Sequence, residues 1–191
     1  MDNEQKKAFF QRLKLETADL HRQTENSRLS VALMSEPLTE KVYTDYLLRM
    51  KEVVAFYEKN IFPALAAVIP DIEQRRKLSS VQKDLDHFNI TTESSSFSLP
   101  AAESTASLLG YMYVLEGSTL GGAFIYKHVN RHLNVTEEQG GAYFSCYQNQ
   151  LSARWKTFLE IVGEYSLQKH QADEIIAAAR LAFEAIRNQL D

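Results

Sequence analysis

Apolar residues recur at intervals of three and four along almost the whole chain, and only seven Gly and four Pro interrupt the pattern. This is the spacing of amphipathic helices, so the expected fold is all-α. A first helical stretch is predicted from about Gln5 to Met34, carrying Phe9, Leu13, Leu20 and Leu29 at spacings of roughly three, four or seven to nine. Pro37 and Thr39 open a second, running to about Phe62, where Pro63 bends or breaks it. A third, from about Ile72 to Phe88, follows Pro70, with Asp71 as its N-cap. Residues 89–100, NITTESSSFSLP, have loop composition throughout. Beyond them a long helix from about Ala101 to Leu133 and another from about Phe144 to Val162 are expected. The last, QADEIIAAARLAFEAIRNQL, carries Ile175, Ile176, Ala179, Ala182, Phe183 and Ile186 on one stripe. No repeat of fixed period occurs, which excludes a solenoid.

With 191 residues, 45% of them hydrophobic, the chain can bury one substantial core, so residues 1–191 are expected to form a single domain. A net charge of −4 offers no footprint for nucleic acid. Cys146 is the lone cysteine and excludes an intrachain disulfide. The start MDNEQKKAFFQRLKLE lacks the apolar segment of a secretory leader, and no run reaches about 18 apolar residues, so a cytoplasmic protein without a membrane span is expected.

The stretch YVLEGSTLGGAFIYKHV, residues 113–129, sets Gly117, Gly121 and Gly122 inside a helical pattern. Each glycine costs a helix interior about 1 kcal/mol relative to Ala. Something must therefore approach this backbone closely. Tyr113, Gly117 and Gly121 fall at i, i+4 and i+8, making one strip of bare backbone beside an aromatic ring. Close packing of a second helix and a broad planar ligand are both compatible with that strip.

His21, in LETADLHRQTEN, has Glu25 at i+4, placed to take a hydrogen bond from one imidazole nitrogen and leave the other for a metal. Thr17, at i−4, borders the same face. Lys14 lies two turns before His21, about 10 Å away at about 1.5 Å per residue, a separation suited to a flat ligand held by a central metal and an anionic edge. His128 and His132 have the spacing of a helical metal pair, but no Glu follows His128 as in the zincin motif, and the sequence offers no third ligand nearby. The single Asp84-x-x-His87 falls short of a ferritin-like pair of Glu-x-x-His motifs.

Together, LKLETADLHRQTE and GYMYVLEGSTLGG resemble the corresponding segments of bacterial heme oxygenases that make biliverdin, including phytochrome-associated members. The resemblance implies a helical fold holding heme between a proximal and a distal helix. It makes His21 the iron ligand, Glu25 its hydrogen-bond partner, and Gly117 and Gly121 the distal glycines crossing over the heme. Lys14 would meet a propionate, Tyr113 the heme edge, and Arg154, in LSARWKTF, the other propionate. Mammalian-type members carry an Asp directly after the first distal glycine; here the residue is Ser118, whose hydroxyl cannot supply a carboxylate.

The implied reaction cleaves heme, at once substrate and cofactor, to biliverdin, carbon monoxide and ferrous iron, using dioxygen and external electrons. A ferredoxin or reductase would supply the electrons, because the chain has neither a dinucleotide fingerprint nor a redox cysteine pair, and a phytochrome would be one recipient of the biliverdin. Two other readings stand beside it: a heme-binding or transport protein without turnover, and a thiaminase-like hydrolase on the same fold, which would need a nucleophile in the pocket.

Overall fold

The computed structural model describes residues 2–91, 96–168 and 171–191. Eight α-helices occur among them: α1 (Asp2–Glu25), α2 (Arg28–Leu33), α3 (Glu40–Phe56), α4 (Phe62–Leu65), α5 (Leu78–His87), α6 (Thr105–Leu133), α7 (Leu151–Ser166) and α8 (Gln171–Leu190). The described residues hold no strand, only an isolated bridge between Thr136 and Gly140. Among the described residues, no helix is long and apolar enough to cross a membrane.

Several boundaries differ from those expected, each for a local reason. The first stretch is two helices, because Ser27 adopts an extended conformation and its hydroxyl bonds to the Thr24 carbonyl and Ser30 Oγ, both at 2.8 Å. Short polar side chains that bond their own backbone compete with helix in this way. Pro63 does not end the second stretch. A π-helical turn, Tyr57–Ile61, widens the backbone just before it, and Pro63 then sits in the first turn of α4, where its missing N–H leaves no gap. Asp71 does not act as an N-cap: its Oδ1 accepts instead from Arg75 Nε at 2.9 Å, and Ile72–Arg75 is a 3₁₀ turn separate from α5. The start of α5 is capped from outside by Glu58, whose Oε1 accepts the N–H groups of Lys77 at 2.6 Å and Leu78 at 2.8 Å.

Helix α6 starts four residues later than expected, where Ser104 caps it by accepting from Ser107 N at 3.1 Å. It ends at Asn134, which takes the left-handed conformation common at helix C-termini. Residues 143–147 form turns rather than the first part of α7. Of the expected loop, residues 92–95 lie outside the described region.

Helix α8 is the organising element. It packs against both α1 and α6 through its apolar stripe, with Ile175, Ala179 and Ala182 fully buried. Gly110 makes the α6–α8 approach possible. A Cβ there would strike the Ile175 carbonyl oxygen and lie 2.7 Å from the Ala178 Cβ. With α8 between them, α1 and α6 form two walls of a common cavity.

Candidate functional site

The cavity has a volume of about 580 Å³, within the range that holds drug- and cofactor-sized ligands. Helix α1 presents Lys14, Thr17, His21 and Glu25 to it; α6 presents Tyr113, Gly117, Ser118 and Gly121. Both sets were read from the sequence as separate helix faces. The fold brings them together.

The glycines divide into two kinds. At Gly122 a Cβ would lie 3.0 Å from the Phe144 carbonyl oxygen, so that glycine, like Gly110, serves packing within the protein. At Gly117 a Cβ would meet only Trp155, at an ordinary 3.6 Å, and at Gly121 it would meet nothing within 4 Å. Among the described residues, nothing packed against α6 requires the missing side chains at these two positions, and both face the cavity. Helix packing therefore accounts for Gly110 and Gly122 but not for Gly117 and Gly121.

On the opposite wall, His21 Nδ1 lies 3.4 Å from Glu25 Oε2, and its ring meets Phe183 of α8 edge-on at 5.6 Å. Thr17 is buried, and its hydroxyl donates to the Leu13 carbonyl at 2.7 Å. Lys14 is exposed at the cavity margin and has no carboxylate partner among the described residues. Leu120 and Phe124, 47% and 70% exposed, extend the α6 wall outward. Large apolar side chains left open beside a concave site mark a surface that an apolar ligand covers. Tyr113 is half-buried against Trp155, with ring centroids 5.6 Å apart, and burial raises its phenol pKa.

Arg154 is placed elsewhere. It does not line the cavity; its guanidinium donates to the Gln74 carbonyl at 3.0 Å and to Gln150 Oε1 at 2.8 Å, and stands 3.6 Å from Asp71 Oδ2. Its neighbour Trp155 faces the site instead, one helical position being enough to turn a side chain away.

Immediately before Gly117, Glu116 is the centre of a buried ionic cluster that sequence reading missed. Its Oε2 accepts from Arg75 Nη1 at 2.5 Å, and its Oε1 accepts from Lys77 Nζ at 2.6 Å and Tyr147 Oη at 2.9 Å. Burial pushes the Glu116 carboxyl up, but Lys77 and Arg75 more than offset this and hold it below the usual carboxylate range. Tyr147 adopts φ +69°, a strained backbone for so large a residue, and its hydroxyl bonds to Glu116 and Lys77 keep it there. The available signal was a carboxylate inside an otherwise apolar stretch, VLEG, which requires cations to meet it.

Ser118 Oγ donates to the Leu115 carbonyl at 2.7 Å, leaving its oxygen free to accept. Ser118 also borders a second cavity of about 30 Å³, large enough for a water molecule, whose lining includes Lys77. Cys146 lines neither cavity, and burial pushes its thiol pKa up, so this thiol is not placed to serve as the nucleophile of a hydrolase. Asp84 is likewise committed to structure, accepting the N–H groups of Ala142 and Tyr143, both at 2.8 Å.

Comparison with known proteins agrees with this geometry. The heme oxygenase PigA of Pseudomonas aeruginosa is 26% identical over 174 residues, covering 88% of this chain and 83% of that protein. The NO- and CO-bound heme oxygenase of Neisseria meningitidis superposes with a TM-score of 0.78 at 25% identity, over 95% of this chain and 89% of that one. Heme oxygenase-1 of the cyanobacterium Synechocystis, solved in complex with heme, shares the fold at 15% identity with a TM-score of 0.73, over 95% and 90% of the two chains. A family model described as heme oxygenase matches residues 7–190, nearly the full length, and with the two-walled cavity this places the chain in the heme oxygenase family.

Proposed function

We propose that this heme oxygenase binds heme in the cavity between α1 and α6, with His21 as the iron ligand and the Gly117–Gly121 strip over the opposite face. The observation that carries the reading is Gly121: a helix-interior glycine facing a large cavity, with no atom of another element close enough among the described residues to require it. When bound, heme supplies the iron centre at which dioxygen is activated and the ring is opened to biliverdin, carbon monoxide and ferrous iron. A neutral imidazole suits this better than a thiolate, which favours O–O cleavage to a high-valent centre.

The protein's part is to bind, orient and deliver protons. Glu25, beside His21 Nδ1, fixes the imidazole so that Nε2 is the nitrogen offered to iron. The bare backbone at Gly117 and Gly121 leaves space beside it for a diatomic molecule. Ser118 Oγ borders both cavities, so it can take a proton from a water beside Lys77 while its own hydroxyl proton, turned away from the Leu115 carbonyl, passes into the main cavity. Electrons come from an external donor, for which a ferredoxin or reductase is our assignment. Cytoplasmic placement and transfer of biliverdin to a phytochrome belong to the same reading. Hemin added to the apoprotein should give a histidine-ligated Soret band, and a reductant under air with catalase present should convert it to biliverdin. Loss of the band without biliverdin, or product formation suppressed by catalase, would contradict enzymatic oxygenation.

Gly121→Leu separates ligand space from packing. Because no atom lies within 4 Å of a Cβ there, and Leu favours helix over Gly by about 0.8 kcal/mol, the apoprotein should melt no lower than wild type while hemin binding or oxygenation fails. Destabilised apoprotein that still oxygenates heme would show that the glycine serves packing.

Lys14 has a different task. Ligation through one axial bond leaves the porphyrin free to turn, and an exposed cation two turns from His21 can select an orientation through a propionate. An exposed ion pair contributes at most about 1 kcal/mol, too little to dominate affinity but enough to bias two orientations about five-fold. Lys14→Ala should therefore weaken hemin binding modestly and change the ratio of biliverdin isomers, as resolved by chromatography. An unchanged ratio would move orientation control to other groups.

A further inference from the structure

Helix α6 ends with His128 and His132 one turn apart on a single face, their ring centroids separated by 4.5 Å. His128 is 8% exposed, and Nε2 of each ring is buried without a hydrogen-bond partner among the described residues. Buried polar nitrogens are seldom left unmatched. The sequence offers no third ligand near this pair, but the fold supplies one. Glu36, in the turn between α2 and α3, reaches 3.4 Å from His132 Nε2 without the alignment of a hydrogen bond. One ligand atom from each of the three residues lies within 4.8 Å of the other two.

We propose that Glu36, His128 and His132 form a second metal site, separate from the heme cavity, that takes a divalent first-row transition metal and receives ferrous iron during turnover. Two imidazoles and one carboxylate are the donor set of such ions, whereas calcium and magnesium prefer oxygen ligands. Bonds of about 2.1 Å to a tetrahedral ion put ligand atoms about 3.4 Å apart, so the set must contract slightly, and the Glu36 side chain, 67% exposed, is free to swing inward. Three protein ligands leave positions open for water and for exchange. The C-terminal carbonyls of α6 add a favourable negative potential for a cation.

Position supports iron as the occupant. Ile125 and Met34 line the heme cavity, and His128 and Glu36 follow them by three and two residues, so the triad adjoins the chamber in which ferrous iron is released. The choice of iron rests on the proposed heme cleavage; the existence of the site does not.

The test begins without heme. Apoprotein titrated anaerobically with Co²⁺, followed by visible absorption and calorimetry, should bind one ion with the intense bands of a low-coordinate nitrogen and oxygen site. His132→Ala and Glu36→Gln should each weaken binding by about ten-fold or more, while His21→Ala leaves it unchanged. Absence of binding, or binding lost with His21→Ala and retained in the other two variants, would overturn the site. In the second arm, a ferrous chelator is added to hemin-loaded protein during a single turnover. It should capture iron more slowly from wild type than from Glu36→Gln, with biliverdin formed at equal rates. Equal capture rates would overturn the assignment of iron even where Co²⁺ binds at the triad.

Discussion

His21→Ala is expected to lose more than about 100-fold in heme-cleaving activity, because removing a residue that merely orients a metal-bound histidine already costs about 10–100-fold. The protein itself should be little affected. The His21 side chain is 56% exposed, and its ring contact with Phe183 is edge-on at the cavity wall. Its removal therefore leaves the packing of α1 on α8 and the buried α1 residues Phe9, Leu13 and Leu20 in place. Added imidazole should enter the vacated space and restore a histidine-like Soret band, a rescue that a fold defect would not permit. A variant with wild-type spectrum and rate would remove His21 from the mechanism and direct the search to His87, His128, His132 and His170, the last of which lies outside the described residues.

Glu116→Gln should have the largest effect on stability. Arg75, Lys77 and Glu116 are all essentially inaccessible to solvent, and the substitution leaves two buried cations without their shared anion. Breaking a buried ion pair on one side destabilises by about 3–5 kcal/mol, which in a protein of this size lowers Tm by about 6–20 °C. The acid limb should change as well. Because the folded state holds the Glu116 carboxyl below its ordinary range, that stabilisation is fully present above the unfolded pKa and is lost as pH falls through the lower folded value. Wild-type stability should therefore decline below about pH 4.5 more steeply than that of the Gln variant. Scanning calorimetry across that range reads both effects. Equal melting temperatures and equal acid slopes would show that the cluster contributes nothing net. Glu116 adjoins Gly117, so surviving Glu116→Gln protein should also bind hemin less well as the glycine strip loses its anchor.

Features within one helix were legible in the sequence, and features that join distant segments were not. Thr17, His21 and Glu25 are related by helical spacing alone, as are Tyr113, Gly117 and Gly121, and the cavity contains all six. That the two faces oppose each other depends on α8 and on the close approach at Gly110, neither of which periodicity encodes. The ionic cluster joins residues 75, 77, 116 and 147, and the proposed metal triad joins residue 36 to residues 128 and 132, so local spacing could reveal neither. Arg154 shows the opposite failure. It was carried over by resemblance, and a rotation of one helical position gives the cavity to Trp155. The break at Ser27 was announced by its sequence context, TENSR, and by the eight polar residues between Leu20 and Leu29, which a reading of the stretch as one helix passes over.

The most direct test is a crystal structure of the hemin complex with the iron located by its anomalous scattering. The account predicts a single iron within bonding distance of His21 Nε2, with the porphyrin plane lying beneath the Gly117–Gly121 backbone. Iron ligated by any other histidine, or a porphyrin outside the α1–α6 cavity, would contradict it.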